Sequence, residues 1–392
     1  MDPTTAPLSG LHVVDVSTFV AGPSCTMTLA SLGADVVRVD ALGGGPDAGR
    51  YPLADDGTSL YWAGLNRGKR IVQADMRTEE GRSVVGDLLA TPGAGHGIVV
   101  TNAVGQSWLE YEELLHCRPD LILVHLEGRS DGTSAVDYTI NSETGLPRIT
   151  GPAHLGEPVN SALPSWDLLT GLHAAVALLA AWRRRSETGE GALIRISLAD
   201  VAAATLSHLG YVADAVVNGT DRQPDGNSLY GTYGRDYVLG DGRRIMLVAL
   251  TSRQWLGLVE VCRIADAVAA LERRTGTTLR DEGSRYALRE DITELLGPWF
   301  ASRSFAQVTA TLDAARVPWG EYRTVRDMAT APDGLVARSA IFDPGPEGYP
   351  VPRSVARSAA WESIPPPPPM HSTVDEVLAD WSKTTTAPSG GR

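Results

Sequence analysis

The sequence predicts an α/β fold built on a parallel sheet, followed by a smaller α+β domain. Two apolar strand patterns, at residues 11–16 and 34–39, flank a short helical segment at 24–32. Connections this short between a strand, a helix and a strand require a parallel pair. Further strand patterns alternate with helical segments, at residues 71–74, 97–101, 121–126 and 193–197. Ligands of such sheets bind beyond the carboxyl ends of the strands, so the loops at those ends are the first candidates for a site.

A second domain is indicated by a change of composition after residue 217. A glycine- and tyrosine-rich stretch leads into two strand patterns within 237–250, joined by Gly240-Asp241-Gly242, which is a strong hairpin signal. The predicted division is a large domain at 1–217, a linker at 218–226, a small domain at 227–323 and a C-terminal segment at 324–392.

Elements of the remaining chain follow from local patterns. Thr78 is a predicted cap for a helix at 79–90, and residues 198–217 read as one long helix. Residues 131–151 are predicted to be irregular. The last part of the chain is proline-rich and extended, with a predicted tether at 365–369. Helices are further predicted at 109–116, 253–262, 291–299, 305–315, 324–330 and 373–381, before a disordered tail.

Composition excludes several classes of function. The chain has 392 residues and a net charge of −13, which disfavours nucleic acid and anionic membranes as partners. Its three cysteines, Cys25, Cys117 and Cys262, are not spaced like metal ligands, and their odd number and wide separation are not typical of disulfide pairs. This predicts a cytoplasmic protein without a metal site. The N-terminus lacks the basic and apolar regions of a signal peptide. The apolar run at 168–182 is expected to be too short for a membrane span.

The most informative stretch is LPSWDLLTGLHAAVALLAAWRRR, at residues 163–185. It predicts a buried helix with Ser165 as the N-cap and three arginines at the C-terminal end. Asp167 is the only acid in the stretch, and it lies in the first helical turn. The positive end of the helix is expected to keep its carboxylate ionised and nucleophilic. The alternative is that Asp167 only stabilises the helix terminus, as first-turn acids commonly do.

A nicotinamide site is disfavoured. The glycines at 43–45 follow the second strand, and no G-x-G-x-x-G opens the helix after the first strand.

Several motifs, in the correct order and over almost the whole chain, resemble class III CoA-transferases, the group that includes formyl-CoA transferase, carnitine CoA-transferase and α-methylacyl-CoA racemase. They are PLSGLHVVDVSTFVAGP, LGADVVRVD, LYWAGLNRGKRIVQADMR, VVTNAVG, VDYTINSETGLPRITGP, WDLLTGLHAAVALLAAWRRRSETGEGALIRISLAD, VPWGEYRTV and HSTVDEVL. The resemblance implies a Rossmann-like large domain without the nucleotide fingerprint, a small domain, and an interlocked homodimer in which the C-terminal segment returns to the large domain.

The resemblance also implies a catalytic acid. The family's D-x-x-x-G motif places it at Asp167, with Gly171 following. Its carboxylate would attack an acyl-CoA thioester, release CoA thiolate and form a mixed anhydride. Coenzyme A would then be part of the substrate, with no prosthetic group, and the partners would be an acyl-CoA and a small carboxylic acid.

Further site residues follow from the same resemblance. A glycine loop closes over the acid in formyl-CoA transferase, and the matching stretch, 226–234, offers Gly231 and Gly234. Arg235 could bind a substrate carboxylate, or could be a surface ion pair. The loops after three strands match the family's CoA-binding positions. These residues are Ala74, Asp75, Met76, Arg77, Asn102, Ala103, Glu127, Gly128 and Arg129.

Departures from the family pattern narrow the chemistry. Val20 stands where formyl-CoA transferase has a glutamine, and Glu110 lies near its phosphate-binding arginine, so formyl and oxalate chemistry is disfavoured. Racemases have a His-Asp pair where this chain has Val136-Asp137, and two-base proton exchange then lacks one base.

The strings FVAGP, YWAGLNRGKR, VDYTIN, LPSWD and LYGTYGRDY are most similar to a subgroup of the family that moves CoA between the C1 and C4 carboxylates of bound 2-methylfumarate (mesaconate). A small pocket lined by Phe19, Val20 and Trp166 would suit that diacid. The alternatives are an intermolecular acyl-CoA:carboxylate CoA-transferase and a non-catalytic acyl-CoA-binding protein.

Overall fold

The computed structural model describes residues 6–219, 221–361 and 363–385. The chain forms two compact units. The large unit comprises Met1–Thr144, Asn160–Thr220 and Ser339–Arg392, and the small unit comprises Gly145–Val159 and Asp221–Arg338.

The strands are β1 (His12–Val16), β2 (Asp35–Asp40), β3 (Lys69–Gln73), β4 (Ile98–Thr101), β5 (Ile122–Glu127), β6 (Ala192–Ser197), β7 (Tyr233–Val238), β8 (Arg244–Ala249), β9 (Trp319–Glu321), β10 (Phe342–Pro344), β11 (Pro350–Pro352) and β12 (Met370–His371). The helices of the large unit that precede residue 220 are α1 (Ala21–Ala30), α2 (Leu60–Leu65), α3 (Glu79–Ala90), α4 (Tyr111–Leu114), α5 (Asp137–Glu143), α7 (Ser165–Thr188), α8 (Leu198–His208) and α9 (Tyr211–Asn218). The other helices are α6 (Leu146–Ile149), α10 (Ser252–Cys262), α11 (Ala265–Thr275), α12 (Glu282–Ala287), α13 (Arg289–Ala301), α14 (Phe305–Ala315), α15 (Val325–Thr330), α16 (Leu335–Arg338) and α17 (Val374–Thr385).

The large unit is an α/β fold with a seven-stranded sheet in the order β12-β3-β2-β1-β4-β5-β6. Every neighbouring pair is parallel, as the short strand–helix–strand connections predict. The chain builds outward from β1 to β2 and β3, then crosses to β4 on the other side of β1. The order therefore reverses between β1 and β4, where open α/β sheets bind ligands.

Helix α7 packs on α1 at very short range. The Cβ of an alanine at position 171 would lie 2.1 Å from Ser24 Oγ and 2.7 Å from Ala21 O. Glycine at this position therefore permits the contact that brings the first turn of α7 to the start of α1. This gives the glycine of the D-x-x-x-G motif a structural reason that is independent of chemistry.

Helix α7 has 24 residues, and it is the one helix in the described ranges that is long and apolar enough to cross a membrane. The apolar run at 168–182 is thus the middle part of a longer helix. Ala174, Ala175 and Leu178 nevertheless lie in the core beneath the sheet, and a core helix meets the same criteria.

The C-terminal segment packs on the large unit. Strand β12 pairs with β3, and the proline stretch before it is held at Pro366, whose carbonyl accepts a 3.1 Å hydrogen bond from Arg67 Nε. On α17, the buried Trp381 contacts His12 and His96 edge-on, and these two imidazoles stack at 3.8 Å. The predicted tether is thus extended but anchored. Helix α17 continues to Thr385, so the first residues of the predicted disordered tail are helical, and the rest of that tail lies outside the described residues.

The small unit has its own core. Strands β7, β8 and β9 form an antiparallel sheet, and β7 and β8 make the hairpin that Gly240-Asp241-Gly242 predicts. The core is formed by residues including Tyr233, Ile245, Leu247, Trp255, Leu258, Ile292, Leu296, Phe300 and Leu312.

Several predicted boundaries differ from the structure. Residues 145–159 join the small unit because Gly226 N donates to Gly151 O at 3.0 Å. Residues 324–338 also belong there, since Arg323 Nη1 bonds Asp333 Oδ1 at 3.0 Å. The predicted helix at 198–217 is broken into α8 and α9 at Gly210, and the stretch expected to be irregular contains α5 and α6. The predicted cap of α3 is confirmed: Thr78 accepts from Gly81 N.

Replacing Gly171 with alanine is expected to destabilise the large unit by roughly 1–3 kcal/mol, because α1 must move to admit the methyl group. Thermal unfolding measures the effect. Gly64→Ala in α2 is the matched control, since nothing lies within 4 Å of its Cβ position. Equal stability of the two variants would contradict the packing argument.

Candidate active site

Asp167 lies in the first turn of α7, and the cap of this helix comes from another part of the chain. Pro164 is the N-cap residue and provides no side-chain hydrogen bond. Instead, Asp137 Oδ2 accepts hydrogen bonds from Trp166 N at 2.7 Å and from Asp167 N at 3.0 Å. Asp137 is buried at the start of α5. The prediction of Ser165 as the cap was wrong, because its Oγ contacts Leu163 O at 3.3 Å.

The Asp167 carboxyl has a pKa raised to about 7 by its burial and by the nearby charge of Asp137, against a lowering by the positive charge of Arg50. This raised pKa opposes the expectation that the helix terminus keeps the carboxylate ionised. Two N–H groups of the first turn donate to Asp137 and are not available to Asp167. The Asp137 carboxylate also places a second negative charge near Asp167. A carboxylate of higher pKa is a more basic nucleophile, and near neutral pH a large fraction is ionised.

Phe19 and Val20 form the turn between β1 and α1. Phe19 has a left-handed φ of 68°, and its N–H donates to Asp47 Oδ2 at 2.9 Å. Val20 is the N-cap residue of α1 and is buried. Because a non-glycine residue in this conformation is costly, the Asp47 contact helps to hold the turn.

A buried charge network supports Asp47. Arg38 Nη2 contacts Asp47 Oδ1 at 2.9 Å, and Arg38 Nε contacts Asp40 Oδ1 at 2.8 Å. Beside it, Lys69 Nζ bonds Asp15 Oδ2 at 2.9 Å. Such groups are costly to bury unless their charges are paired, and here each has a partner. The network therefore fixes the loop that carries Asp47.

Arg50 and Tyr61 stand beside Phe19. The Arg50 guanidinium lies 5.5 Å from the centre of the Phe19 ring and 5.1 Å from that of Tyr61. Burial raises the pKa of Tyr61, Arg50 lowers it and Asp167 raises it. Asp167, Arg50, Tyr61 and Phe19 are thus close enough to influence one another.

The sequence reading did not assign Arg50, Tyr61 or the capping role of Asp137. Asp137 follows Val136 where racemases have a His-Asp pair, but nothing in the local sequence indicates which helix Asp137 caps. Trp166 is placed differently from its predicted role in the pocket lining: its buried indole donates from Nε1 to Asn141 Oδ1 at 3.1 Å.

The structure distributes the predicted CoA-binding loops over both halves of the sheet. Those after β4 and β5 are neighbours, whereas Ala74, Asp75, Met76 and Arg77 follow β3, on the far side of β1. Arg77 is 87% exposed, and its Nε contacts Asp75 Oδ1 at 2.7 Å. This contact lowers the pKa of Asp75 to about 2.

The loops after β4 and β5 hold one another in place. Asn102 accepts from Thr18 N at 3.0 Å and donates to Thr18 O at 2.9 Å. These bonds join the end of β4 to the turn between β1 and α1, at the place where the strand order reverses. His125 Nε2 donates to Ala103 O at 3.2 Å. Glu127 faces Arg195 at 3.7 Å, Gly128 packs on Ala135, and Arg129 pairs with Glu143.

Three predicted residues belong to the small unit. Gly231 lies in the turn before β7, whereas Gly234 lies within β7 opposite Val248. A Cβ at Gly234 would lie 2.3 Å from Leu229 Cδ1, so a larger residue there would require the Leu229 side chain to move. Arg235 Nη1 contacts Glu290 Oε1 at 2.6 Å.

The fold is therefore a parallel α/β sheet without the dinucleotide fingerprint, with a desolvated acid in the first turn of α7. The model of CoA-transferase family III matches residues 8–372. The chain belongs to this family, and the sequence predictions of the family and of an enzyme are confirmed.

Individual similar proteins agree with the assignment to this family. The chain is 44% identical to 2-methylfumaryl-CoA isomerase of Chloroflexus aurantiacus over 380 residues, which are 95% of this chain and 93% of that protein. It is 28% identical to succinyl-CoA:mesaconate CoA-transferase of Haloarcula hispanica over 83% of this chain and 82% of that one. A CAIB/BAIF family protein from Brucella suis superimposes with a TM-score of 0.78 at 25% identity, over 96% of this chain and 100% of the other.

Replacing Asp167 with asparagine is expected to stabilise the protein at pH 8 but hardly at pH 4. The pKa of Asp167 is raised in the folded state, so wild-type stability falls as pH rises from about 4 to about 7 and stays reduced above. The amide has no charge to desolvate. We expect a gain of roughly 1–3 kcal/mol at pH 8, less than the full linkage value because the site is partly open.

Melting temperatures from pH 4 to pH 8 measure this difference. Asp87→Asn on the exposed face of α3 is the control and should follow the wild type. A gain for Asp167→Asn that is independent of pH would show that Asp167 is not a desolvated acid.

Proposed function

We propose that this enzyme moves CoA between the C1 and C4 carboxylates of 2-methylfumaryl-CoA, with the diacid remaining bound throughout. The observation that carries the proposal is the desolvated Asp167 carboxylate at the mouth of α7. The choice of substrate is supported by the 44% identity to 2-methylfumaryl-CoA isomerase.

The reaction needs only Asp167 and the thiolate of CoA. The carboxylate attacks the C1 thioester carbonyl, the C–S bond breaks, and CoA leaves as a thiolate, which gives a mixed anhydride. The thiolate then attacks the aspartyl carbonyl, forming an aspartyl-CoA thioester and releasing the diacid as its dianion.

The second half reverses these steps through the other end of the diacid. The released diacid turns in the pocket, and its C4 carboxylate attacks the aspartyl thioester and expels CoA thiolate. The thiolate attacks the C4 carbonyl of the new anhydride and regenerates the Asp167 carboxylate. No proton, water or second substrate is consumed, so an enclosed pocket favours the reaction.

The remaining site residues take the roles that the family resemblance implies. The loops after β3, β4 and β5 bind CoA through backbone groups and Arg77, because the Asn102 side chain is already bonded to Thr18. Phe19 and Val20 line the diacid pocket, with Trp166 supporting it from behind. Gly231 belongs to a closing loop. Arg235 would have to leave Glu290 to bind substrate.

The proposal includes an interlocked cytoplasmic homodimer. Exposed apolar side chains on α7 and α9, including Val176 at 68% and Val216 at 78%, support a second copy as their cover.

Asp167→Asn is expected to lower CoA transfer by at least about 10³-fold, because the amide cannot form the anhydride. Conversion of the C1 to the C4 ester, followed by chromatography with mass detection, measures it. Wild-type enzyme mixed with substrate and quenched in hydroxylamine should carry a hydroxamate at Asp167. An active Asp167→Asn enzyme would refute the proposal.

Adding labelled free 2-methylfumarate to the reaction distinguishes intramolecular from intermolecular CoA transfer. An intramolecular enzyme incorporates no label into the product ester during many turnovers. Incorporation at the rate of product formation would instead identify an intermolecular CoA-transferase. CoA binding without turnover on a panel of acyl-CoAs would identify a non-catalytic protein.

Asp137→Asn is expected to shift the acid limb of the kcat/KM profile to lower pH. The amide oxygen can still accept from Trp166 N and Asp167 N, but the like charge that raises the pKa of Asp167 is gone. Arg50 and Tyr61 also face Asp167 and are unchanged in this variant. Asp137→Ala should instead lose the cap and about 1–2 kcal/mol of stability. An unshifted profile for Asp137→Asn would contradict the electrostatic role.

A further inference from the structure

Arg50 differs from other arginines near the site in having no carboxylate partner. Arg38 is paired with Asp40 and Asp47, and Arg67 is paired with Glu347. Within the described ranges, no carboxylate lies within ion-pair distance of Arg50. Its guanidinium is positioned by two aromatic faces, which leave its N–H groups free to bond a ligand.

The two rings that position Arg50 belong to the β1 turn and to α2. Phe19 is fixed through its own N–H by Asp47, which Arg38 holds in turn. Tyr61 lies in the first turn of α2, whose N-cap Ser59 accepts from Trp62 N at 3.0 Å and donates to Arg50 O at 2.5 Å. Arg50 is therefore anchored at its backbone and at its head group, as a preorganised binding residue requires.

Arg50 and Tyr61 lie near enough to Asp167 for their charges to interact. The charge of Arg50 acts on both Asp167 and Tyr61. Tyr61 Oη is buried and has no hydrogen-bond partner among the described residues. An unpaired buried hydroxyl is unfavourable by roughly 1–3 kcal/mol, so an acceptor supplied by a ligand fits this position.

A diacid bound as a CoA ester has one thioester and one free carboxylate. While Asp167 reacts with the thioester carbonyl, the distal carboxylate must lie near the acid pair of Asp167 and Asp137. A cation at that end offsets the repulsion, and a guanidinium binds a carboxylate with two parallel hydrogen bonds.

We infer that Arg50 binds the carboxylate of the diacid that is not being acylated, and so selects dicarboxylic acyl-CoAs over monocarboxylic ones. The inference rests on the proposed function and deepens it. When the freed diacid turns, its two ends exchange places between Asp167 and Arg50, so one cation serves both halves of the reaction.

The test uses Arg50→Met and Arg50→Lys with two esters. The first is 2-methylfumaryl-C1-CoA, and the second is 2-methylcrotonyl-CoA, in which a methyl group replaces the distal carboxylate. Acylation of Asp167 is followed by hydroxylamine trapping, and binding of free 2-methylfumarate to the CoA-loaded enzyme is followed by calorimetry. Arg183→Met, at an exposed position near the end of α7, is the control for charge removal.

Arg50→Met should lower kcat/KM for the diacid ester about 10- to 100-fold and weaken binding of the free diacid similarly. At a pH well above the pKa of Asp167, acylation by 2-methylcrotonyl-CoA and the affinity for CoA should be unchanged. The variants are compared at that pH because the charge of Arg50 lowers the pKa of Asp167. Arg50→Lys should recover part of the loss, because lysine restores the positive charge but cannot form the two parallel hydrogen bonds of a guanidinium.

Equal losses for the two esters, or an unchanged affinity for the free diacid, would overturn the inference while leaving CoA transfer intact. A different result would separate the two proposals. If the wild type does not convert 2-methylfumaryl-C1-CoA but prefers other dicarboxylic acyl-CoAs, and Arg50→Met loses that preference, the isomerase function is overturned and the inference is upheld. Weakened binding of CoA itself would place Arg50 at a CoA phosphate and refute the proposal.

Discussion

The two hydrogen bonds from Asp137 to the first turn of α7 determine the character of this site. They bond backbone N–H groups that would otherwise be free at the helix terminus. They also place a carboxylate next to Asp167, and together with burial this raises the pKa of Asp167 to about 7. A side chain distant in sequence thereby gives a common first-turn acid the raised pKa and desolvation that the proposed nucleophile needs.

The surroundings make this arrangement rigid. Gly171 allows α7 to approach α1, and α1 follows the turn whose Phe19 is held by Asp47. Asp47 in turn belongs to a network of buried, paired charges centred on Arg38. Polar networks of this kind specify one geometry when every member is satisfied. The acid, the β1 turn and Arg50 are therefore positioned before any substrate binds, as electrostatic preorganisation requires.

The features that the sequence predicts correctly are those with local or strongly repeated signals. Buried strands alternating with helices predict the parallel sheet, Thr78 with its following acids predicts α3, and Gly240-Asp241-Gly242 predicts the hairpin. The position of Asp167 in the first turn of α7 is also predicted, because the sequence places a helix start there.

The features that it misses depend on contacts between distant segments. A serine at a helix start is a good cap on average, but Ser165 is not used because Asp137 reaches the same N–H groups. Arg50 lies in a loop without a motif, and only folding brings Phe19 and Tyr61 to its two sides. Asn102 matches a CoA-binding position, yet its amide joins two strand ends.

The most direct measurement of the central claim is the transfer of oxygen to Asp167. In a single turnover with 2-methylfumaryl-C1-CoA that carries ¹⁸O in its free C4 carboxylate, one labelled oxygen becomes the bridge of the second anhydride. It remains on Asp167 when CoA departs with the C4 acyl group. Mass spectrometry of the peptide that contains Asp167 should then show the gain of one ¹⁸O atom. Product formation with an unlabelled Asp167 would contradict the account.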